Sequence, residues 1–215
     1  MTRLILIRHG QSIANAEHIF AGHADFDLTD FGHEQARRAA RYLHERESID
    51  TIYASDLLRA YHTACPIAEA FGLPVVKDKA LREIYAGEWD GQNTDDIEAR
   101  FPEDFHRWKT DYSHVRCTGG ESIPEVYRRT VPHICNLAEE NDGKCILLAT
   151  HATVVRSFDA FAKGYGAEET GSVPFSRNAS INIYEYESGN AIPVCSDFVE
   201  HLGELVTGLP KKLDS

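Results

Sequence analysis

The sequence LILIRHGQSIAN, residues 4–15, joins an apolar run directly to a cation, a titratable ring and a glycine turn. The apolar residues Leu4–Ile7 predict a short buried strand. Arg8 and His9 then stand at the carboxyl end of that strand, where open α/β sheets bind their ligands. The stretch therefore predicts that the first strand delivers a guanidinium and an imidazole to a binding site.

Predicted strands and helices alternate along the rest of the chain, which is typical of an α/β sheet with helices on both faces. Strands are predicted at residues 4–7, 51–54, 74–76 and 145–150, helices at 29–45, 57–71, 122–140 and 152–162, and a closing hairpin at 181–186 and 192–196. Residues 85–120 contain both tryptophans and many charges, and we interpret them as a small helical cap insertion. Because no linker or repeat divides the chain, we predict one domain over residues 1–215.

The composition narrows the classes of partner and compartment. A net charge of −12 over 215 residues disfavours nucleic acid or an anionic membrane surface as the main partner, whereas a locally basic pocket can still bind a small anion. The apolar run at residues 4–7 is too short for a signal peptide, and no stretch approaches the roughly 20 apolar residues of a membrane span. Five scattered cysteines without a Cys-x-x-Cys pair favour thiols in a reducing compartment, so we expect a cytoplasmic protein.

Charged and titratable side chains follow other predicted strands as well. His151 follows one strand, Arg59 lies in the first turn of the helix after another, and Glu83 is expected just after a third, in a glycine-rich loop. Alone, each of these residues is typical of a structural side chain. Together with Arg8 and His9, they place two guanidinium groups, two imidazoles and one carboxylate at the same edge of the sheet.

This set of side chains suits phosphoryl transfer. Arg8 and Arg59 offer planar forks that match phosphate oxygens, and free amides at the start of the helix after His151 add a further anion site. A neutral imidazole nitrogen is a capable nucleophile, and the neighbouring cations lower its pKa and keep it neutral. The Glu83 carboxyl can protonate a leaving alcohol and then deprotonate the attacking water.

The motifs around these residues resemble those of the histidine phosphatase superfamily, the phosphoglycerate-mutase-like proteins. The matching segments are RHGQSIAN at 8–15, GHADFDLTDFGHEQA at 22–36, ASDLLRAYHTA at 54–64, LREIYAGEWDG at 81–91, GGES at 119–122 and LLATHATVVR at 147–156. They cover nearly the whole chain in the family's order, which makes the signal far more specific than the Arg-His-Gly tripeptide alone. The resemblance implies a three-layer α/β/α sandwich with a mostly parallel sheet.

The resemblance also implies a role for each residue of the site. His9 becomes a transient phosphohistidine, and Glu83 is the proton donor. The residues implied to bind the transferring phosphoryl group or to line the substrate site are Arg8, Gln11, Asn15, Gly22, Arg59, Glu83, His151 and, through its backbone amide, Ala152. No metal ion and no organic cofactor are implied, and the expected partner is a small phosphorylated metabolite.

Phosphohistidine chemistry serves both phosphatases and mutases, so the reaction stays open between them. A mutase must retain a bisphosphorylated intermediate and needs a second basic cluster, whereas residues 93–115 are rich in acidic side chains. We favour a phosphatase of the small branch of the family, with cofactor-dependent phosphoglycerate mutase-type transfer as the alternative. Arg116, near the Gly-Gly turn, is the residue that can grip a second anionic group.

Other interpretations are weaker but stay open. An inactive phosphate-binding regulatory module is less favoured because the nucleophile and the acid are both present, and a metal-dependent hydrolase because the histidines lack ligand spacing. His23, beside Gly22, is unassigned. We assign Trp89 and Trp108 to packing and leave open that a cap aromatic touches an apolar leaving group. The sequence leaves open the phosphate ester and a homodimer through a sheet edge or the cap.

Overall fold

The computed structural model describes residues 1–209 and 213. Its strands are β1 (Thr2–Arg8), β2 (Ile19–Phe20), β3 (Thr51–Ala54), β4 (Val75–Lys77), β5 (Gln92–Asn93), β6 (Cys145–Thr150), β7 (Ile181–Glu187) and β8 (Asn190–Phe198). Its helices are α1 (Ile13–Ala16), α2 (Asp30–Arg46), α3 (Leu58–Phe71), α4 (Thr94–Arg100), α5 (Pro102–Thr110), α6 (Ile123–Glu140) and α7 (Ala152–Ala162). Within these described residues, no helix combines the length and the apolar composition that a bilayer crossing requires.

Six strands form one central sheet in the order β4-β3-β6-β1-β7-β8. The first four are parallel, and the hairpin of β7 and β8 adds two antiparallel strands at one edge. The short strands β2 and β5 pair separately. The predicted α/β class with a mostly parallel sheet is confirmed. Since β6 lies between β1 and β3, the ends of three parallel strands meet at one place.

The sheet separates two apolar cores, because successive side chains of a strand point to opposite faces. In β1, Leu4 and Leu6 belong to one core, whereas Ile5 and Ile7 belong to the other. Side chains of α6 and α7 complete the first core, and side chains of α2 and α3 complete the second. The three-layer arrangement implied by the resemblance is therefore present.

Local capping signals set the beginning and the end of the main helices. The Thr29 side chain accepts from the amide of Gly32 and begins α2, and Ser122 and Glu125 form the predicted capping box of α6. Helix α3 ends at Gly72, whose φ of 66° is a left-handed conformation that glycine adopts without strain. These boundaries agree with the predictions, and they fix Arg59 in the first turn of α3.

Residues 85–120 hold α4, α5 and short 3-10 turns rather than a strand of the main sheet. Trp89, Phe105 and Trp108 are buried in the same core as Leu4 and Leu6, so both tryptophans pack in that core as predicted, and Trp108 also borders the pocket described below. That core is shared by the insertion and the sheet. The single domain over residues 1–215 stays a prediction, and residues 210–212, 214 and 215 lie outside the described residues.

The expected position of Glu83 directly after a strand is wrong. Strand β4 ends at Lys77, and a 3-10 turn over Lys79–Leu81 separates it from Glu83. The Asp78 side chain caps this turn by accepting from an amide, and the Thr150 hydroxyl donates to the carbonyl of Leu81 at 2.7 Å. The long-range contact from Thr150, rather than strand pairing, holds the segment at the end of β6.

Candidate active site

The glycines beside the first strand let it end against α2. An added Cβ on Gly10 would lie 2.6 Å from the carbonyl oxygen of Gly32, and one on Gly32 would lie 2.1 Å from that of Gln11. Both approaches exclude any side chain, so the turn after His9 needs glycine at these positions. The His9 amide donates to the carbonyl of Thr150 at 2.9 Å, which ties the turn to the end of β6.

The hydrogen bond of the His9 ring defines which nitrogen carries its proton. Nδ1 lies 2.7 Å from the carbonyl oxygen of Gly10, and a carbonyl can only accept. Nδ1 is therefore the donor, and Nε2 holds the lone pair. Burial, together with the positive charges of Arg59 and Arg8, holds the pKa of His9 well below its usual range. The imidazole is neutral at pH 7, as a nucleophile must be.

Two buried guanidinium groups stand beside this ring. Arg8 donates through Nη1 to the carbonyl of Ser176 at 2.5 Å. Arg59 donates through Nη2 to Gly22 at 2.7 Å and through Nη1 to Ala24 at 3.0 Å. Burial lowers the pKa of Arg59 to about 10, which still leaves it cationic at pH 7. Fixed cations of this kind are suited to a doubly charged phosphate.

His151 packs directly against His9, as the shared edge of the sheet requires. The two ring centroids lie 5.3 Å apart in an edge-on arrangement, and His151 Nε2 lies 2.8 Å from the hydroxyl of Ser55. Its Nδ1 is buried and has no hydrogen-bond partner in the described part of the chain. Burial, with the charge of Arg59, holds the pKa of His151 well below its usual range, so this ring is also neutral.

Glu83 is the carboxylate of the site. Its Oε1 accepts from the amide of Ile84 at 2.9 Å and from the amide of Thr153 at 3.3 Å, and the Thr153 hydroxyl contacts the same oxygen. Burial raises the pKa of Glu83, and the charges of Arg59 and Arg8 oppose that effect. The amide of Thr153 faces this carboxylate, so the expectation of free amides at the start of α7 is wrong for that group.

Most of these side chains line one pocket. Its polar lining consists of Arg8, His9, Asn15, Arg59, Glu83 and Thr153, its small residues are Ala21, Gly22 and Ala152, and its apolar lining consists of Ile19, Phe20, Ile84, Trp108, Phe175, Leu209 and Leu213. His151 lies behind the lining, against His9. Gln11 does not line the pocket, because its side-chain oxygen accepts from the Thr29 hydroxyl at 2.9 Å.

Comparison with known proteins places the chain in a family. The sequence model of the histidine phosphatase superfamily (branch 1) matches residues 4–196. The chain belongs to this superfamily. Among its relatives, phosphoserine phosphatase 1 of Hydrogenobacter thermophilus is 32% identical over 204 residues, which cover 95% of this chain and 96% of the relative. A 2,3-bisphosphoglycerate-dependent phosphoglycerate mutase of Methylobacterium is 36% identical over 77% of this chain and 82% of its own length.

A solved structure agrees with the family assignment. The mycobacterial glucosyl-3-phosphoglycerate phosphatase superposes with a TM-score of 0.84 at 28% identity, over 92% of this chain and 99% of that one. Because the superfamily contains both reaction types, membership supports a phosphatase or a mutase. The five residues that the resemblance assigns to catalysis are all buried and lie together in this structure: Arg8, His9, Arg59, Glu83 and His151.

Asn178 contacts this histidine phosphatase site, although the sequence did not predict it as a site residue. Asn178 donates through Nδ2 to the carbonyl of His9 at 3.2 Å and to Oδ1 of Asn15 at 3.1 Å. The next residue, Ala179, has a φ of 52° and donates to the carbonyl of His9 at 3.1 Å. The segment before β7 thus holds the turn after β1 in place. Asn178 is about 170 residues from His9 along the chain, so no local sequence pattern indicates this contact.

Asn15 is oriented by the same contacts. Its Oδ1 accepts from Asn178 and from the amide of Ser12, where it completes a capping box. The side-chain NH₂ of Asn15 therefore remains as a donor, and within residues 1–209 and 213 it has no hydrogen-bond partner. Since Asn15 lines the pocket, this NH₂ is a candidate donor to a bound phosphate.

The two residues left unassigned by the sequence take different positions. The His23 ring donates through Nε2 to the carbonyl of Glu83 at 2.8 Å, and Arg129 donates to the same oxygen at 2.8 Å. Both support the backbone that carries the carboxylate. Arg116 is exposed and pairs with Glu125 at 2.5 Å, away from the pocket lining, so the structure does not place it as a grip for a second anion.

Neither a metal-ligand cluster nor a disulfide is found among the residues that the structure describes. Among the described residues, no group of three or more His, Cys, Asp or Glu side chains is arranged to hold a metal ion. All five cysteines lie in the described part of the chain and are free thiols.

Proposed function

We propose that this protein is a phosphatase that hydrolyses a small phosphate monoester through a phosphohistidine on His9. The observation that carries the proposal is a neutral imidazole, with its Nε2 lone pair available, in a pocket that also holds Arg8 and Arg59. The two guanidinium groups provide the charge that a phosphate dianion needs. The imidazole provides a nucleophile at neutral pH.

In the first step, His9 Nε2 attacks the phosphorus of the bound ester. The N–P bond forms while the bond from phosphorus to the ester oxygen breaks, and Glu83 donates its proton to that oxygen. The raised pKa of Glu83 supports this role, because the carboxyl then holds a proton closer to neutral pH. The Nδ1 hydrogen bond to Gly10 stabilises the positive charge that the ring acquires.

In the second step, a water molecule replaces the alcohol. Glu83, now a carboxylate, takes a proton from the water as its oxygen attacks phosphorus. The N–P bond breaks, inorganic phosphate leaves, and His9 returns to its neutral form. Arg8 and Arg59 stabilise the equatorial oxygens in both steps, and the NH₂ of Asn15 adds a further donor.

The cations of the pocket favour hydrolysis over a mutase reaction. A mutase binds an intermediate with two phosphoryl groups and therefore needs cations at both ends of the ligand. Among the described residues that line the pocket, Arg8 and Arg59 are the only cations. The exposed Arg116, paired with Glu125, supplies no second cluster. The inactive regulatory module is disfavoured because the nucleophile and the proton donor share one pocket.

The test compares His9→Ala with a matched control. His106→Ala removes an exposed histidine of α5 that is not part of the pocket lining. We expect His9→Ala to lose all turnover of p-nitrophenyl phosphate and to lose the acid-labile phosphoenzyme trapped after rapid quenching, while His106→Ala keeps both. EDTA is expected to leave the rate unchanged. Full activity of His9→Ala would refute the assignment of His9 as the nucleophile.

The competing reaction needs its own assay. A mutase exchanges phosphoglycerate isomers in the presence of 2,3-bisphosphoglycerate without releasing phosphate. We expect release of inorganic phosphate with no isomer exchange, and isomer exchange faster than release would establish the mutase. A cytoplasmic location, a homodimer and the absence of nucleic-acid and membrane partners stay predictions.

A further inference from the structure

The pocket has two chemically different halves. The polar residues around His9 form its floor, whereas a set of apolar side chains forms what we call the apolar wall. The apolar wall consists of Ile19, Phe20, Ile84, Trp108, Phe175, Leu209 and Leu213. For an ester whose phosphoryl group lies on the floor, this wall is the apolar part of the lining that its leaving group can contact.

The aromatic part of the apolar wall is built before any ligand arrives. Trp108 packs edge-on against Phe20 at 5.0 Å between ring centroids and lies parallel to Phe175 at 6.3 Å. Behind them, Tyr112 packs edge-on against Phe175 at 5.0 Å, and the Arg156 guanidinium lies 4.1 Å from the centre of the Phe175 ring. A wall held from behind loses little conformational entropy when a ligand binds.

The charges around the apolar wall disfavour an anionic leaving group. Arg8 and Arg59 are the only cations of the described lining, and both are needed by the phosphoryl group. The Arg129 guanidinium, which contacts the backbone of Glu83, is held by the carboxylate of Glu121 at 2.7 Å and by the carbonyl of Glu83 at 2.8 Å. A substrate carboxylate against the apolar wall would lose its hydration without gaining a partner, which is costly.

We infer that the apolar wall selects phosphate monoesters of uncharged, apolar alcohols, both alkyl and aryl, over esters whose alcohol carries a carboxylate. The inference rests on the proposed function, since it assigns the leaving-group side of the same pocket. Ester specificity then follows from the area of apolar surface that the alcohol buries and not from additional hydrogen bonds.

The first experiment varies the length of the alcohol. Ethyl, butyl and hexyl phosphate have leaving alcohols of similar acidity, so the chemical step is nearly constant along the series. We expect kcat/KM to rise by up to about fourfold for each methylene that becomes buried. Phosphoserine and 3-phosphoglycerate are expected to be poorer substrates than butyl phosphate. A flat series, or a preference for either carboxylated ester, overturns the inference.

The second experiment inserts a cation into the apolar wall. Ile19→Arg places a guanidinium beside the leaving group, whereas Ile192→Arg makes the same change at a 65% exposed position of β8. We expect Ile19→Arg to raise the ratio of phosphoserine to hexyl phosphate turnover by about tenfold or more. Ile192→Arg is expected to leave the ratio at the wild-type value. If Ile19→Arg leaves the ratio of phosphoserine to hexyl phosphate turnover unchanged, the apolar wall does not select the leaving group.

A binding measurement separates this inference from the proposed function. Alkylphosphonates cannot be hydrolysed, so calorimetry reports their affinity whether or not the protein is a phosphatase. We expect affinity to rise with chain length and the heat-capacity change of binding to become more negative. Absence of turnover with this pattern would refute the phosphatase and retain the apolar wall. Turnover together with an affinity that does not depend on chain length would refute the apolar wall and retain the phosphatase.

Discussion

Replacing Glu83 with glutamine removes the proton that the proposed reaction needs and leaves the shape of the site nearly unchanged. A glutamine oxygen can still accept from the amide of Ile84, which lies 2.9 Å from Oε1, and from that of Thr153. General acid catalysis contributes about 100- to 10,000-fold to such reactions. We therefore expect kcat/KM for butyl phosphate to fall within that range in Glu83→Gln.

The loss depends on the leaving group. An alkoxide cannot depart without a proton, whereas p-nitrophenolate is stable and needs little protonation. We expect the rate on p-nitrophenyl phosphate to stay within about tenfold of wild type in Glu83→Gln. The assay is kcat/KM for both esters, with Glu88→Gln as a control, since Glu88 is an exposed carboxylate of the same segment. Equal losses on the two esters would refute Glu83 as the acid.

The same variant makes a prediction about stability and pH. Burial raises the pKa of Glu83 in the folded state above its value of 4.5 in the unfolded chain. The stabilising contribution of this group is thus present below pH 4.5 and is lost as the pH rises through the folded-state pKa. Glutamine does not titrate. Urea unfolding should show the free energy of unfolding of Glu83→Gln increasing relative to wild type as the pH rises through this window.

Two further changes test the supports of the site. Asn178→Ala removes the donors to His9 and Asn15, and we expect kcat/KM to fall by about ten- to a hundredfold while circular dichroism stays native; activity equal to wild type would exclude a positioning role. Leu6→Ala opens a cavity at a fully buried position beneath the site, and we expect urea unfolding to show a loss of about 2–5 kcal/mol. A loss below about 1 kcal/mol would contradict the packing of that core.

Local sequence patterns predicted much of the fold and the central residues of the site. The apolar run before Arg8, the cap at Thr29 and the capping box at Ser122 act over a few residues, so each is visible without tertiary contacts. The same holds for His9 and for His151, which are placed at the ends of their strands by the strands themselves. Parallel strands share one carboxyl edge, and that rule was sufficient to predict that the two histidines meet.

The positions of other residues could not be predicted from local patterns, because they depend on contacts with segments that are distant in the sequence. Glu83 reaches the site through a 3-10 turn bound to β6, and Asn178 supports His9 from about 170 residues away. Gln11 was expected in the pocket but pairs with Thr29, because α2 packs closely on the glycine turn. Periodicity and capping encode local geometry, whereas these contacts depend on how both faces of the sheet become buried.

By itself, the sequence determined the α/β alternation, the edge at which ligands bind and the presence of Arg8 and His9 at that edge. Only the tertiary structure decided that the pocket combines a polar floor around His9 with an apolar wall. It also decided that the Arg116 side chain pairs with Glu125 and does not line the pocket. The physical reason is that a strand end is a local property. The lining of a pocket is a property of surfaces brought together from the whole chain, and so is the pairing of each charge.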